Sequence, residues 1–213
     1  MIGSNLLRYD KESLFVFIDF ETENLCLNFV QNRPWELAIM KYRGGKVEDK
    51  RKYFIGWERP IQVSKGAAYI TGFDQWKYDN EKISSDIVFD TMYEWLDDAD
   101  YVIGHNILGF DNYLVKEYCV FYNKIWRHLI NKTIDTLCLS KSVKFEIPYN
   151  KDLSLLEWQY KMSNEWRKGV KTTLSEMGKH YNIDHDYKTL HQAENDLLLN
   201  IKVWEKLKFQ VEI

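Results

Sequence analysis

The hydrophobic and polar positions of this chain change period from one segment to the next. Leu14–Ile18 is an unbroken β-favouring apolar run that closes on Asp19, the pattern of a central strand buried on both faces. Trp35–Tyr42 and Val47–Ile55 flank Arg43-Gly44-Gly45-Lys46, whose glycines permit the positive φ of a hairpin turn. Three adjacent antiparallel strands follow. After Pro60 the pattern reads as loop, and from Ser85 to Leu96 the apolar residues Ile87, Val88, Met92, Trp95 and Leu96 return at helical spacing.

Beyond that helix, Tyr101–Ile103 reads as a short strand, Asp111–Tyr122 as a helix, and Thr133–Ile134 as a strand leading into a helix near Thr136. Alternation of strand and helix implies parallel pairing. Thr172 and Thr173 are candidate caps of a helix ending near Asn182, with Glu176 completing a capping box. A last long helix is expected from Ala193 to Leu207, with Leu197, Leu198, Ile201 and Trp204 toward the core. The division expected is an arm over 1–13 and one domain over 14–213.

Composition narrows the class. A chain of 213 residues suits one domain with a substantial core. Its 45% hydrophobic and 29% charged residues describe a soluble globular protein, neither disordered nor membrane-embedded. The formal charge of −3 provides no global positive field for a polyanion, so contact with nucleic acid has to be local, helped by a bound cation. Cys26, Cys119 and Cys138 form no CxxC pair and are odd in number, which argues against a disulfide framework or a zinc site. The apolar run at Leu14–Ile18 is too short for a signal peptide and follows Asp10, Lys11 and Glu12, and no stretch approaches the roughly 20 apolar residues of a membrane span. A cytoplasmic location with no membrane association is therefore expected.

Candidate chemistry begins at Asp19 and Glu21. Side chains two apart on a strand project from one face, so both carboxylates can converge on one cation. Alone the pair says little, because 32 acidic residues make such spacings common. Its position beside a buried strand says more, since unpaired charge is costly there and a metal would relieve it. A second candidate is the polar stretch Gly104-His105-Asn106-Ile107-Leu108-Gly109-Phe110-Asp111, in which Asp111 could also be a simple N-cap. The third is His191 with Asp196. Five residues apart in one helix they would point about 140° away from each other, so His191 must precede the helix to share a site with Asp196.

Together, Asp19-Phe20-Glu21-Thr22, Gly104-His105-Asn106 with Asp111, and His191 with Asp196 resemble, in order and spacing, the three motifs of the DEDDh 3′→5′ exonucleases. The resemblance runs from about Leu14 to Leu207 and takes in Trp35-Glu36-Leu37-Ala38, Ile134-Asp135-Thr136 and Leu174-Ser175-Glu176-Met177. Proofreading exonuclease subunits and domains of bacterial replicative polymerases are similar. It implies a ribonuclease-H-like α/β fold, with a mixed β-sheet of three antiparallel strands plus parallel strands flanked by helices, in agreement with the strand reading above. It also implies that Asp19, Glu21, Asp111 and Asp196 hold two Mg²⁺ or Mn²⁺ ions and that His191 is the general base. Oxygen ligands suit such hard cations, and a histidine of ordinary pKa near 6.5 takes a proton near neutrality.

Phe20, Thr22, Phe73, His105 and Asn106 are the candidate substrate contacts, His105 also as a residue orienting its loop. Relatives often carry a His-Gly-Ile-Thr-like element that wedges an apolar residue between the last two bases. Here Ile70-Thr71-Gly72-Phe73 corresponds, and Phe73 is either that wedge or a core residue in a tight turn. Ser142–Lys171 is longer than compact relatives need. Its Trp158, Tyr160, Trp166, Lys161, Arg167, Lys168 and Lys171 either track a nucleic-acid strand or belong to a helix packing Leu155, Leu156, Trp158 and Met162 on the core. Asp135 reads as a helix cap or a support behind the metal ligands, and His180, Asp184, His185 and Asp186 as a solvated loop. The substrate expected is a single-stranded DNA 3′ end, with RNA as the alternative and a polymerase or replication protein as a candidate partner. A catalytically idle binding module is a further reading, disfavoured because all five catalytic-type residues are present.

Overall fold

The computed structural model describes residues 6–25, 27, 32–188 and 190–213; Cys26 lies outside them. Six strands form one mixed sheet: β1 (Phe15–Thr22), β2 (Pro34–Arg43), β3 (Lys46–Gly56), β4 (Ile83–Ser84), β5 (Tyr101–Gly104) and β6 (Thr133–Asp135). Their spatial order is β4-β3-β2-β1-β5-β6. β1, β2 and β3 pair antiparallel, β5 joins β1 in parallel, β6 joins β5 in parallel, and the two-residue β4 lies parallel to β3. The expected mixed sheet is therefore present, with one short strand that was not anticipated.

Nine helices surround it among the described residues: α1 (Lys65–Thr71), α2 (Gln75–Glu81), α3 (Ser85–Asp98), α4 (Asp111–Phe121), α5 (Arg127–Asn131), α6 (Thr136–Phe145), α7 (Leu155–Asn164), α8 (Leu174–His180) and α9 (Ala193–Leu207). None of the helices is long and apolar enough to cross a membrane. The stretch after Pro60, read as loop, instead holds α1 and α2. Each is seven residues long, too short for a repeating apolar stripe, and each starts on a side-chain cap, Ser64 or Asp74. Helix α8 ends at His180 rather than near Asn182, and only half of its capping box forms, the Glu176 N–H donating to Thr173 Oγ1. The complete capping box belongs to α7, between Ser154 and Glu157.

The period of two along β1 divides the interior. Phe15 and Phe17 enter one core with residues of α6, α7, α8 and α9, while Val16, Ile18 and Phe20 enter a second with α3, α4 and α5. Leu7, in the segment expected to be a free arm, is buried in the first core, and its N–H donates to the Ile213 carbonyl. Helix α7 is part of the same core. It buries Trp158 and Met162, and Gln159, wholly buried, closes the edge of β6. The Gln159 Oε1 accepts the Asp135 N–H at 2.6 Å and its Nε2 donates to the Thr133 carbonyl at 2.9 Å, the two bonds that a further strand would have made.

Candidate active site

Continuing the alternation of β1 past Phe17 brings Asp19 and Glu21 onto the same face as Phe15 and Phe17, beneath α9. Helix α9 carries Asp196 in its first turns. Ligand oxygens of Asp19, Glu21 and Asp196 all lie within 4.8 Å of one another, the one such acidic group among the described residues. Asp111 completes the set from the opposite side of β1. Only 2% exposed, it is the first residue of α4, with Phe110 at the cap position, so it is not the simple N-cap considered above. Its Oδ1 accepts the Phe20 N–H at 3.1 Å, tying the helix to the strand between the other two acids.

His191 stands before α9, in the left-handed region at φ 69°. Its N–H donates to both Asp196 oxygens at 3.2 Å, and its imidazole is exposed. Asn106 shares that backbone state at φ 66°, and its N–H donates to Asp135 Oδ1 at 2.9 Å. A non-glycine residue held so costs about 1–3 kcal/mol, and in both cases a carboxylate grips the strained N–H. Gly109 lets the Asn106 side chain pack close, since a Cβ there would lie 2.6 Å from the Asn106 Oδ1 and would push that amide aside.

The carboxylates repel one another in a poorly solvated place. Burial, then the charges of Asp111, Asp196, Glu21 and Glu36, hold the Asp19 carboxyl far above the usual range. Burial and the charges of Asp196, Glu36 and Asp111 push Glu21 up to about 9. Burial raises Asp111 and Asp196 to about 7 each, against the lowering effect of the N–H groups of Phe20 and His191. Such a set is strained without a cation and is chemically matched to a hard divalent one, offering only oxygen donors.

Three residues support the acidic group, and of these Glu36 had no assigned role in the sequence reading. Glu36 sits opposite Glu21 on β2, is 3% exposed, and accepts the Ala193 N–H at 3.2 Å while pairing with Lys52 at 3.0 Å. It thereby seats the N-terminus of α9. Lys50 adds a surface ion pair to Glu194 at 2.8 Å. The signal for Glu36 was available: it is the lone charged residue in the otherwise apolar stretch from Pro34 to Met40. Asp135 does more than cap α6 through the Leu137 N–H; it also receives the N–H groups of Asn106 and Leu108, so it shapes the loop that ends in Asp111. His105 faces Thr136 Oγ1 at 3.1 Å, and that hydroxyl reaches Asn200 of α9 at 2.7 Å. Burial lowers the His105 pKa to about 4, so the ring is neutral and links three elements.

The side chains of two expected substrate contacts are engaged within the protein. The Phe20 ring is buried in the second core, edge-on to Tyr118, and offers no face to a base. The Thr22 hydroxyl is spent on the Asn24 carbonyl at 2.6 Å. Phe73 follows the left-handed Gly72 that ends α1 and packs against Trp35 and Tyr78 in a small third cluster, half-buried, so core packing takes at least part of its ring. His180, Asp184, His185 and Asp186 form no acidic or histidine cluster among the described residues.

Residues 16–204 match the family model RNase_T, described as an exonuclease. No curated protein matches the chain in sequence. Among solved structures it is similar to E. coli exonuclease I in complex with a dT13 oligonucleotide (TM-score 0.70, 16% identity, 92% of this chain and 41% of that one). It is likewise similar to the zinc-ion-bound E. coli ExoI–ssDNA complex (0.72, 16%, 93% and 41%) and to the complex with a dA16 oligonucleotide (0.69, 16%, 93% and 43%). The chain spans about two fifths of the length of those proteins. What is shared at this identity is the fold, a ribonuclease-H-like α/β sheet flanked by helices. Since the family match runs from β1 into α9, and so through all four carboxylates, the chain belongs to the RNase_T exonuclease family.

Proposed function

We propose that the chain is a metal-dependent 3′→5′ exonuclease that releases nucleoside monophosphates from the 3′ end of single-stranded DNA. The observation that carries this is the convergence of Asp19, Glu21 and Asp196 within 4.8 Å, with Asp111 bonded to the strand between the first two. Support for the substrate comes from the similar exonuclease I structures, which hold single-stranded DNA oligonucleotides.

Asp19, Glu21, Asp111 and Asp196 would hold two Mg²⁺ or Mn²⁺ ions. When bound, such ions neutralise the non-bridging phosphate oxygens, make water a nucleophile near neutrality and stabilise the departing 3′ oxygen. The chain's own residues orient and move protons. His191 accepts the proton of the attacking water at an imidazole nitrogen, and its exposure leaves the ring free to turn toward a bound phosphate. Asp196 fixes where that imidazole starts by gripping the His191 N–H. Asn106, exposed on its loop, would donate to the terminal nucleotide. Phe73 is left with the exposed part of its ring as a surface against the terminal base.

The test is hydrolysis of 5′-labelled single-stranded DNA, duplex DNA and RNA, each with Mg²⁺, Mn²⁺ or EDTA. Shortening of the single-stranded DNA from its 3′ end, only with metal, is expected; preferential degradation of RNA would replace the substrate, and metal-independent cleavage would overturn the mechanism. In the same assay His191→Ala should lose roughly 10²–10⁴-fold in rate, the range for a general base. An unchanged rate would give the proton to another group.

A further inference from the structure

The segment from Lys161 to Lys171 gathers positive charge in an acidic chain: Lys161, Arg167, Lys168 and Lys171 against the single acid Glu165. Its neighbour α7 devotes one face to the core through Trp158, Gln159 and Met162. From Asn164 to Lys171 every residue is exposed, and Trp166 is 76% exposed. The loop has a definite shape. The Val170 N–H donates to the Arg167 carbonyl at 3.1 Å, and Gly169 at φ 82° supplies the left-handed residue of a tight turn that leaves Lys168 at its corner. The Arg167 guanidinium lies 5.0 Å from the centre of the Phe145 ring, fixing the base of the turn. Among the described residues the side chains of Lys168 and Lys171 form neither a hydrogen bond nor a salt bridge, and Lys161 acts only at longer range, on Glu157 one turn earlier in α7.

This surface adjoins the candidate active site at two points. The Thr172 backbone lies beside the His105 ring, in the loop that ends in Asp111. Gln159 of α7 accepts the N–H of Asp135, whose carboxylate holds the Asn106 and Leu108 N–H groups of that same loop. One exposed tryptophan is unremarkable on a soluble protein. A tryptophan set among cations that make no salt bridge, continuous with a phosphodiester-cleaving site, has the chemistry of a single-strand surface: lysines for phosphates and an aromatic face for a base.

We infer that the outer face of α7 and the 165–171 loop bind the single strand on the 5′ side of the nucleotide being removed. The inference rests on the exonuclease reading for its direction along the strand. It assigns Trp166 to base stacking and Lys161, Lys168 and Lys171 to phosphates.

The experiment uses the full chain in Ca²⁺, with labelled dT16 and dT3 titrated at several salt concentrations against wild type, Trp166→Ala, and a combined Lys161→Gln, Lys168→Gln, Lys171→Gln variant. Urea midpoints verify that the exposed substitutions leave the fold intact. Trp166→Ala should weaken dT16 binding roughly 5- to 150-fold, the equivalent of one base–aromatic stack. The triple variant should flatten the slope of log K against log salt by about 2, from about 0.7 per phosphate contact on a single strand. Binding and Mg²⁺-dependent trimming of dT3, which offers the surface far fewer phosphates and bases, should fall much less than those of dT16. Unchanged dT16 affinity and salt slope in both variants, or equal losses for dT3 and dT16, would overturn the surface. Absence of hydrolysis of either oligonucleotide by wild type would overturn the exonuclease reading instead, while the dT16 titration still decides the surface.

Discussion

Asp19 is the residue on which most of the repulsion falls, since the charges of Asp111, Asp196, Glu21 and Glu36 all act on it in a buried place. The role proposed for it as a ligand and its cost to the metal-free fold therefore have one origin. Asp19→Asn keeps the volume and removes the charge. The expected result is loss of measurable nuclease turnover together with a melting temperature, in EDTA, at or above that of wild type, followed by differential scanning calorimetry. Wild-type turnover would remove Asp19 from the metal site, and a large fall in melting temperature would mean that its oxygens carry a structural bond instead. Glu36 is the contrasting residue. Its carboxylate already has partners in Lys52 and the Ala193 N–H, so it works as a positioning residue for α9, whatever fills the centre.

Helix α7 shows how one element supports a site it does not touch through metal ligands. Gln159 satisfies both open groups of the edge strand β6, and β6 ends in Asp135, which in turn receives the N–H groups of Asn106 and Leu108. Replacing Gln159 by Leu would leave the Asp135 N–H and the Thr133 carbonyl buried and unpaired, at about 1–3 kcal/mol each. A urea midpoint lowered to that extent is expected, together with a decrease in kcat that Gln159→Glu, which retains an acceptor for the Asp135 N–H, partly reverses. A Gln159→Leu protein of wild-type stability would show that the strand edge finds other partners.

Across the whole molecule the acidic centre makes stability depend on pH in a definite direction. The folded pKa values are raised, to about 7 for Asp111 and Asp196 and about 9 for Glu21, above ordinary values of 3.8 and 4.5. The folded state then binds more protons than the unfolded one between these limits, so the contribution is full below about pH 4 and is lost as pH rises through 7 and then 9. Metal-free protein should accordingly show a lower urea midpoint at pH 8.5 than at pH 5.5. Saturating Mg²⁺ should restore most of the difference, because it binds the ionised carboxylates of the native state. A midpoint that rises with pH in EDTA would contradict the electrostatic description of the site.

The strands β1, β2 and β3 were legible in the sequence because period and turn chemistry are local: an apolar run, two flanking runs and a Gly-Gly hairpin. Helix α9 was legible to its end residues, since its apolar stripe is long enough to repeat. The spacing of His191 and Asp196 likewise required a break before the helix, and the left-handed His191 makes it. Short elements were not legible. The helices α1 and α2 are fixed by caps, and α2 also by Tyr78 in the third cluster, and β4 has only two residues, so no periodic signal exists for them. The side of the sheet was legible for Phe20, since the period of two that puts Asp19 and Glu21 on one face puts Phe20 on the other, whereas the packing of Phe73 on the third cluster was not, because it depends on contacts with distant residues. The sequence by itself determined the residue types, their order and the strand that presents the first two acids. The tertiary structure decided the convergence of Asp196 from α9 and Asp111 from α4 on that strand, and the duties of Glu36, Asp135 and Gln159 behind it. Those depend on contacts between residues far apart in the chain, which local pattern cannot encode.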